Sequence, residues 1–149
     1  MCSSDLDKEN LTLAKDHEGV SLDLGSVLQG YAADRAAGVL KAQGVDEYLI
    51  EVGGEILAAG TWRVGIEDPF NPRLMLENAL LTDKALSTSG LYRAKRLAAG
   101  KPVSHILSPK TGSPVEPTLE MAVVFHESCL QADGWSTALM ARSEEHTSE

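Results

Sequence analysis

Asp133 and Thr137 stand four positions apart in a stretch that reads as helix from about Ser128, itself a suitable N-cap, so both side chains fall on one helical face. A carboxylate and a hydroxyl there are hard oxygen donors, suited to Mg²⁺ rather than zinc. His105 sits in residues 103–107, where Ser104 and His105 alternate with apolar neighbours. An imidazole, with a reference pKa of about 6.5, can take a proton near neutral pH. Each pattern also has an ordinary reading. Asp and Thr four apart occur on solvated helices, and a histidine in a strand is often a hydrogen-bonded structural residue.

The densest pattern lies upstream, in residues 22–35. Val20, Leu22 and Leu24 alternate with Ser21 and Asp23, which predicts a strand with one buried face. Gly25 ends it. A helix is expected from about Leu28, with apolar and small positions at 28, 32, 35/36, 39 and 40, closed by Gly44 in a left-handed conformation. Such a junction turns free backbone N–H groups and a positive dipole end toward an anionic ligand. It has neither the Gly-x-Gly-x-x-Gly dinucleotide fingerprint nor the Gly-Lys-Ser/Thr of a P-loop.

Around these lie the elements that must position them. Residues 11–16 read as an edge strand, paired through the turn at His17-Glu18-Gly19 with residues 20–24. Residues 48–52 form a strand that Gly53-Gly54 interrupts before it resumes at 56–59. Further strands are expected at 62–66, 73–81, 103–107 and 121–125, with a loop at 68–72. Lys84 to Gly90 places three hydroxyls and a glycine in what reads as one turn, and 92–97 as a short helix or strand. The fold class is α+β: a single domain with a mixed or mostly antiparallel sheet and packed helices.

With 149 residues, 43% hydrophobic and 23% charged, the chain suits one core. Its formal net charge of −9 argues against nucleic acid and anionic membrane as generic partners. Residues 1–6 and 142–149 resemble a translated sequencing adapter in its two orientations, and the domain is expected in 7–141. Cys2 lies in the first of these ends, which leaves Cys129 as a small buried hydrophobe without an intrachain partner.

The run from Asp23 through Leu24-Gly25-Ser26-Val27-Leu28-Gln29-Gly30-Tyr31-Ala32-Ala33 to Asp34 resembles the central motif of the FAD:protein FMN transferases, the ApbE family. Similar motifs follow in family order. They are Glu51-Val52-Gly53-Gly54-Glu55 with Trp62 to Pro69, then Ser87-Thr88-Ser89-Gly90-Leu91-Tyr92, Ser104-His105-Ile106-Leu107-Ser108-Pro109-Lys110-Thr111-Gly112 and Ala132-Asp133-Gly134-Trp135-Ser136-Thr137-Ala138. The resemblance spans nearly all of residues 20–141. It departs from the family at Gln29, where a charged residue is common, and at Ser108, where Asp is usual. The N-terminal portion of the family domain is expected to lie outside this fragment.

The resemblance implies FAD contacts at Asp23, Gln29 and Leu107 and in the Thr88-Ser89-Gly90 turn. It implies Mg²⁺ at Ser26, Asp133 and Thr137, with Ser136 a further ligand, and His105 as the catalytic base. The activity implied is Mg²⁺-dependent transfer of FMN from FAD to a threonine or serine hydroxyl of a redox membrane protein, releasing AMP. By the same resemblance the protein is periplasmic or attached to the cell envelope. A metal-dependent FAD pyrophosphatase, giving FMN and AMP, would use the same site with water as nucleophile. A flavin-binding protein without turnover is the reading from another class.

Overall fold

The computed structural model describes residues 4–90, 96–98, 101–107, 112–114 and 119–142. The expectations for 92–95, for Ser108 to Thr111 and for the adapter-like residues 1–3 and 143–149 lie outside them.

The strands β3 (Tyr48–Val52), β4 (Glu55–Ala59), β7 (Ala85–Gly90) and β10 (Met121–His126) form a four-stranded antiparallel sheet in the order β10-β7-β4-β3. The helices α1 (Leu28–Ala42) and α2 (Cys129–Arg142) cover one face, where Ala33, Ala37, Leu57, Ala85, Cys129 and Ala132 are buried together. The antiparallel hairpin of β5 (Thr61–Glu67) and β6 (Met75–Thr82) covers the other, packing Val64, Ile66 and Leu81 on Ala58 and Leu86. Both sheet faces are thus closed by apolar burial, which supplies most of the driving force for the fold. Two short hairpins stand apart from this sheet: β1 (Ser4–Asp7) with β2 (Thr12–Lys15), and β8 (Arg96–Ala98) with β9 (Lys101–Val103). Among the described residues no helix is long and apolar enough to cross a membrane.

Several elements differ from the sequence reading. Residues 20–24 are not a strand, and β2 pairs with Ser4–Asp7 instead, drawing the adapter-like residues 4–6 into a hairpin. Leu22 and Leu24 stay more than half exposed. Their alternation therefore meets neither a core face nor a neighbouring strand edge, and without both a period-two pattern does not make a strand.

The helix α1 forms with Gly44 at φ +75° beyond its C-terminus, but the face it buries is Gly30, Ala33 and Ala37. Leu28 and Val39, expected inside, are exposed. Close helix approach explains the choice of small residues: a Cβ on Gly30 would stand 2.4 Å from the Cys129 carbonyl oxygen.

Residues 84–90 are not a turn but contain β7, an inner strand. Small hydroxyl side chains are tolerated there because they find partners on α2. The strand expected at 103–107 stops at Val103, where the Ser104 hydroxyl accepts the Ile106 N–H at 3.0 Å and bends the chain. Leu107 then forms a single bridge with Pro114.

Candidate active site

A cavity of about 990 Å³ opens where the N-terminus of α1, the inner face of α2, the β3–β4 turn, the end of β7 and residues 105–107 meet. Of the predicted site residues, His105, Asp133, Thr137 and Ser26 line it. So do Asp23, Gln29, Leu107, Thr88, Ser89 and Gly90, so that the ten are brought together from four separate segments. Ser136 does not line it. This serine is fully buried behind the wall, its hydroxyl already engaged by the protein.

The two helices cap each other. No side chain of α1's own N-terminal residue caps it; the Gly30 N–H, one of the amides left free at a helix start, donates to Asp133 Oδ2 of α2 at 2.9 Å. In return Asp34 of α1 accepts the Cys129 N–H at 2.8 Å, the Leu130 N–H at 3.1 Å and the Ser128 hydroxyl at 2.7 Å. Ser128 itself accepts the Gln131 N–H at 3.3 Å, the capping role its sequence position predicts. Burial raises the Asp133 pKa while the Gly30 N–H pulls it down.

Behind Asp133 the hydroxyls of β7 meet those of α2. Ser136 Oγ lies 2.8 Å from Ser87 Oγ and 2.8 Å from Ser89 Oγ, and it donates to the Asp133 carbonyl oxygen at 2.9 Å. Ser89 Oγ also lies 3.3 Å from Thr137 Oγ1. The hydroxyl–hydroxyl contacts join residues 47 to 49 apart in sequence, beyond any local pattern.

The cavity mouth is shaped by short-range contacts. Asp23 Oδ1 accepts the Gly25 N–H at 2.8 Å, which fixes the turn leading into α1. Gly53 and Gly54 form the two-residue β3–β4 hairpin turn with φ +63° and +106°, both in the region glycine favours. Gln29 lies over Gly53, where a Cβ would come within 2.3 Å of its Nε2.

Glu55, which follows that turn and ends the Glu51-Val52-Gly53-Gly54-Glu55 motif, has no role in the sequence reading. It lines the cavity at 5% exposure, and its Oε2 has no hydrogen-bond partner. Burial pushes its carboxyl up to about 7, with the Ser87 hydroxyl acting against the shift and Asp133 adding to it. The same surroundings push the buried Cys129 thiol up to about 12, through burial first and then Glu55, Asp34 and Asp133. Cys129 is therefore an inert core residue at neutral pH.

Five carboxylates, Asp23, Glu51, Glu55, Glu67 and Asp133, line the cavity, and no Lys or Arg does so among the described residues. A phosphate-bearing ligand would meet repulsion here unless a cation accompanied it. No three His, Cys, Asp or Glu side chains converge as a metal cluster among the described residues. A cation here would thus be held by Asp133 with neutral oxygens such as those of Thr137 and Ser26, a donor set that fits Mg²⁺.

The model of the ApbE family matches residues 2–149. The chain belongs to the ApbE family. It is similar to FAD:protein FMN transferase of Salmonella typhimurium, 37% identical over 135 residues that cover 86% of this chain and 39% of that protein. It is also similar to FAD:protein FMN transferase of Escherichia coli K12, 35% identical over 144 residues that cover 92% and 41%. Among solved structures, the ApbE protein of Thermotoga maritima matches with a TM-score of 0.85 at 27% identity, over 97% of this chain and 48% of that one. The flavin transferase ApbE of Vibrio cholerae matches with a TM-score of 0.79 at 34% identity, over 93% and 45%. This ApbE-family chain thus spans less than half the length of these relatives, and its α+β fold is theirs.

Proposed function

We propose that this chain carries the catalytic cavity of a Mg²⁺-dependent FAD:protein FMN transferase, which moves FMN from FAD to a threonine or serine hydroxyl of a target protein and releases AMP. The observation that carries this reading is one acid-rich cavity shared by His105, Asp133 and Thr137. The names of the curated relatives supply the reaction.

Asp133 and Thr137, with Ser26 across the cavity, would hold the cation. Bound Mg²⁺ would offset the negative charge that builds on phosphate oxygens. Asp23, Gln29, Leu107 and residues 88–90 surround the space for FAD. His105, exposed on the cavity wall, takes the proton of the acceptor hydroxyl at whichever ring nitrogen lacks one. The hydroxyl oxygen then bonds to the FMN-side phosphorus. The bond from that phosphorus to the bridging oxygen breaks, and AMP leaves with that oxygen. The acceptor is a subunit of a membrane redox complex in this reading, and the enzyme is periplasmic or envelope-attached, its working region lying within residues 7–141.

The test is to incubate this chain, and the full-length protein, with FAD, Mg²⁺ and an acceptor subunit. Flavin fluorescence that stays with the acceptor in a denaturing gel, matched by AMP release, is the expected result. AMP with free FMN and an unlabelled acceptor would replace the reading with a pyrophosphatase. FAD binding without AMP from the full-length protein would leave a non-catalytic flavin-binding protein.

A further inference from the structure

The buried serine that the cavity leaves out has a use of its own. Ser136 Oγ touches three oxygens, and it has one proton and two lone pairs to offer them. The Asp133 carbonyl oxygen can only accept, so the Ser136 proton goes there at 2.9 Å. Ser89, 2.8 Å away, must then donate to Ser136, while Ser87, also 2.8 Å away, shares its hydroxyl between Ser136 and the Glu55 carboxyl. With its own proton spent, Ser89 can bond to Thr137 Oγ1, 3.3 Å away, only as acceptor. The Thr137 proton is therefore turned inward, toward Ser89. The lone pairs of Thr137 are left for the cavity that its side chain lines.

We propose that Ser136 is a positioning residue: the hub of a directed hydroxyl chain that presents Thr137 to the cavity as an oxygen donor with its proton turned away. The inference rests on the reading of Thr137 as a cation ligand. A hydroxyl that pointed its proton at a cation would repel it, so fixing the rotor beforehand removes a cost that binding would otherwise carry. Partners behind a metal ligand are typically worth about 10- to 100-fold in affinity.

The experiment is Mn²⁺ titration by calorimetry, Mn²⁺ serving as an oxygen-seeking probe. It uses the parent chain, Ser136→Ala, Thr137→Ala, the double variant and Asp133→Asn, with circular dichroism to establish the fold of each. Ser136→Ala should keep the fold and bind Mn²⁺ about 10-fold more weakly. The double variant should bind no more weakly than Thr137→Ala alone, because both changes act through the same hydroxyl. A purely structural role would lower the melting temperature of Ser136→Ala and leave the Mn²⁺ affinity at the parent value, and that result would overturn the proposal. So would losses that simply add in the double variant.

If Ser136→Ala does not fold, Ser89→Ala replaces it, since it removes the acceptor of the Thr137 proton, and the same two outcomes decide. The underlying cation reading has its own arm. A parent chain that binds no Mn²⁺, or an Asp133→Asn variant that binds like the parent, would remove that reading and the inference with it. A parent that binds, with Asp133→Asn that does not and Ser136→Ala that matches the parent, would remove the inference alone.

Discussion

Asp34 and Asp133 do the same structural job on opposite helices and end in different chemistry. Each reaches from its own helix to the N-terminus of the other. Asp34 is held on both oxygens: two backbone N–H groups and a serine hydroxyl converge on them at 2.7 to 3.1 Å. Asp133 receives one N–H, from Gly30, and faces the cavity among four other carboxylates. A carboxylate with both oxygens held by protein donors is a brace. One with acceptor positions left over, 4% exposed at a cavity wall, is half of a binding site. The reciprocal caps also explain why the site is where it is, since docking α1 on α2 is what brings Asp133 beside the turn at residues 23–26.

The largest effect should separate the two aspartates on the cation side. Asp133→Asn keeps an oxygen for the Gly30 N–H but removes the charge, so the helix junction should survive while flavin transfer by the full-length protein falls at least about 100-fold. Activity near the parent value would remove Asp133 from the site. His105→Ala should cost on the order of 10² to 10⁴ in transfer rate without shifting the melting temperature, because His105 is exposed and only its base function is lost.

On the Asp34 side the expected loss is in stability. Asp34→Ala strands three donors at the start of α2 and should cost about 2–4 kcal/mol in a denaturant titration. Equal stability with the parent would mean that water replaces the carboxylate and that the reciprocal caps do not hold the helices together.

Glu55 sharpens the comparison through pH. Its folded pKa of about 7 lies above the ordinary 4.5, so between those values the native state holds a proton that the unfolded chain has released. Stability should therefore be highest below about pH 4.5 as far as this group is concerned, and decline as pH rises toward 7 by up to about 3 kcal/mol. In Glu55→Gln, measured without added cation, most of that decline should vanish. An unchanged pH profile would show that the carboxyl is ordinary. At the helix crossing Gly30→Ala would press a Cβ against three backbone atoms of Cys129 and Leu130, at 2.4 to 2.8 Å, and should cost at least about 1–3 kcal/mol in a denaturant titration.

Much of this was legible in the chain itself where the cause was local. The strand Tyr48–Val52, the paired glycines after it, the left-handed Gly44 and the start of α2 after Ser128 all follow from neighbouring residues. What could not be read depends on partners far along the chain. Ser87 and Ser89 look like turn residues until Ser136 is placed beside them, and Leu28 and Val39 look like core until Gly30 brings the α2 backbone into contact. Glu55 carries no chemistry in a one-dimensional reading. The unpartnered Oε2 arises from the strand that turns it inward and from the lack of any cationic side chain lining the cavity among the described residues. Asp34 stood inside the central motif as an unremarked helix residue, because the three donors it collects come from residues 128–130.

The most direct test of the difference between the two aspartates is Mn²⁺ titration followed by electron paramagnetic resonance, on the parent, Asp34→Asn and Asp133→Asn. Free Mn²⁺ gives a strong six-line signal that diminishes on binding. The parent and Asp34→Asn should both diminish it with similar affinity, and Asp133→Asn should leave it unchanged over the same range. Binding by Asp133→Asn at parental affinity, or its loss in a folded Asp34→Asn instead, would contradict the assignment of Asp133 as the carboxylate the fold holds for a cation.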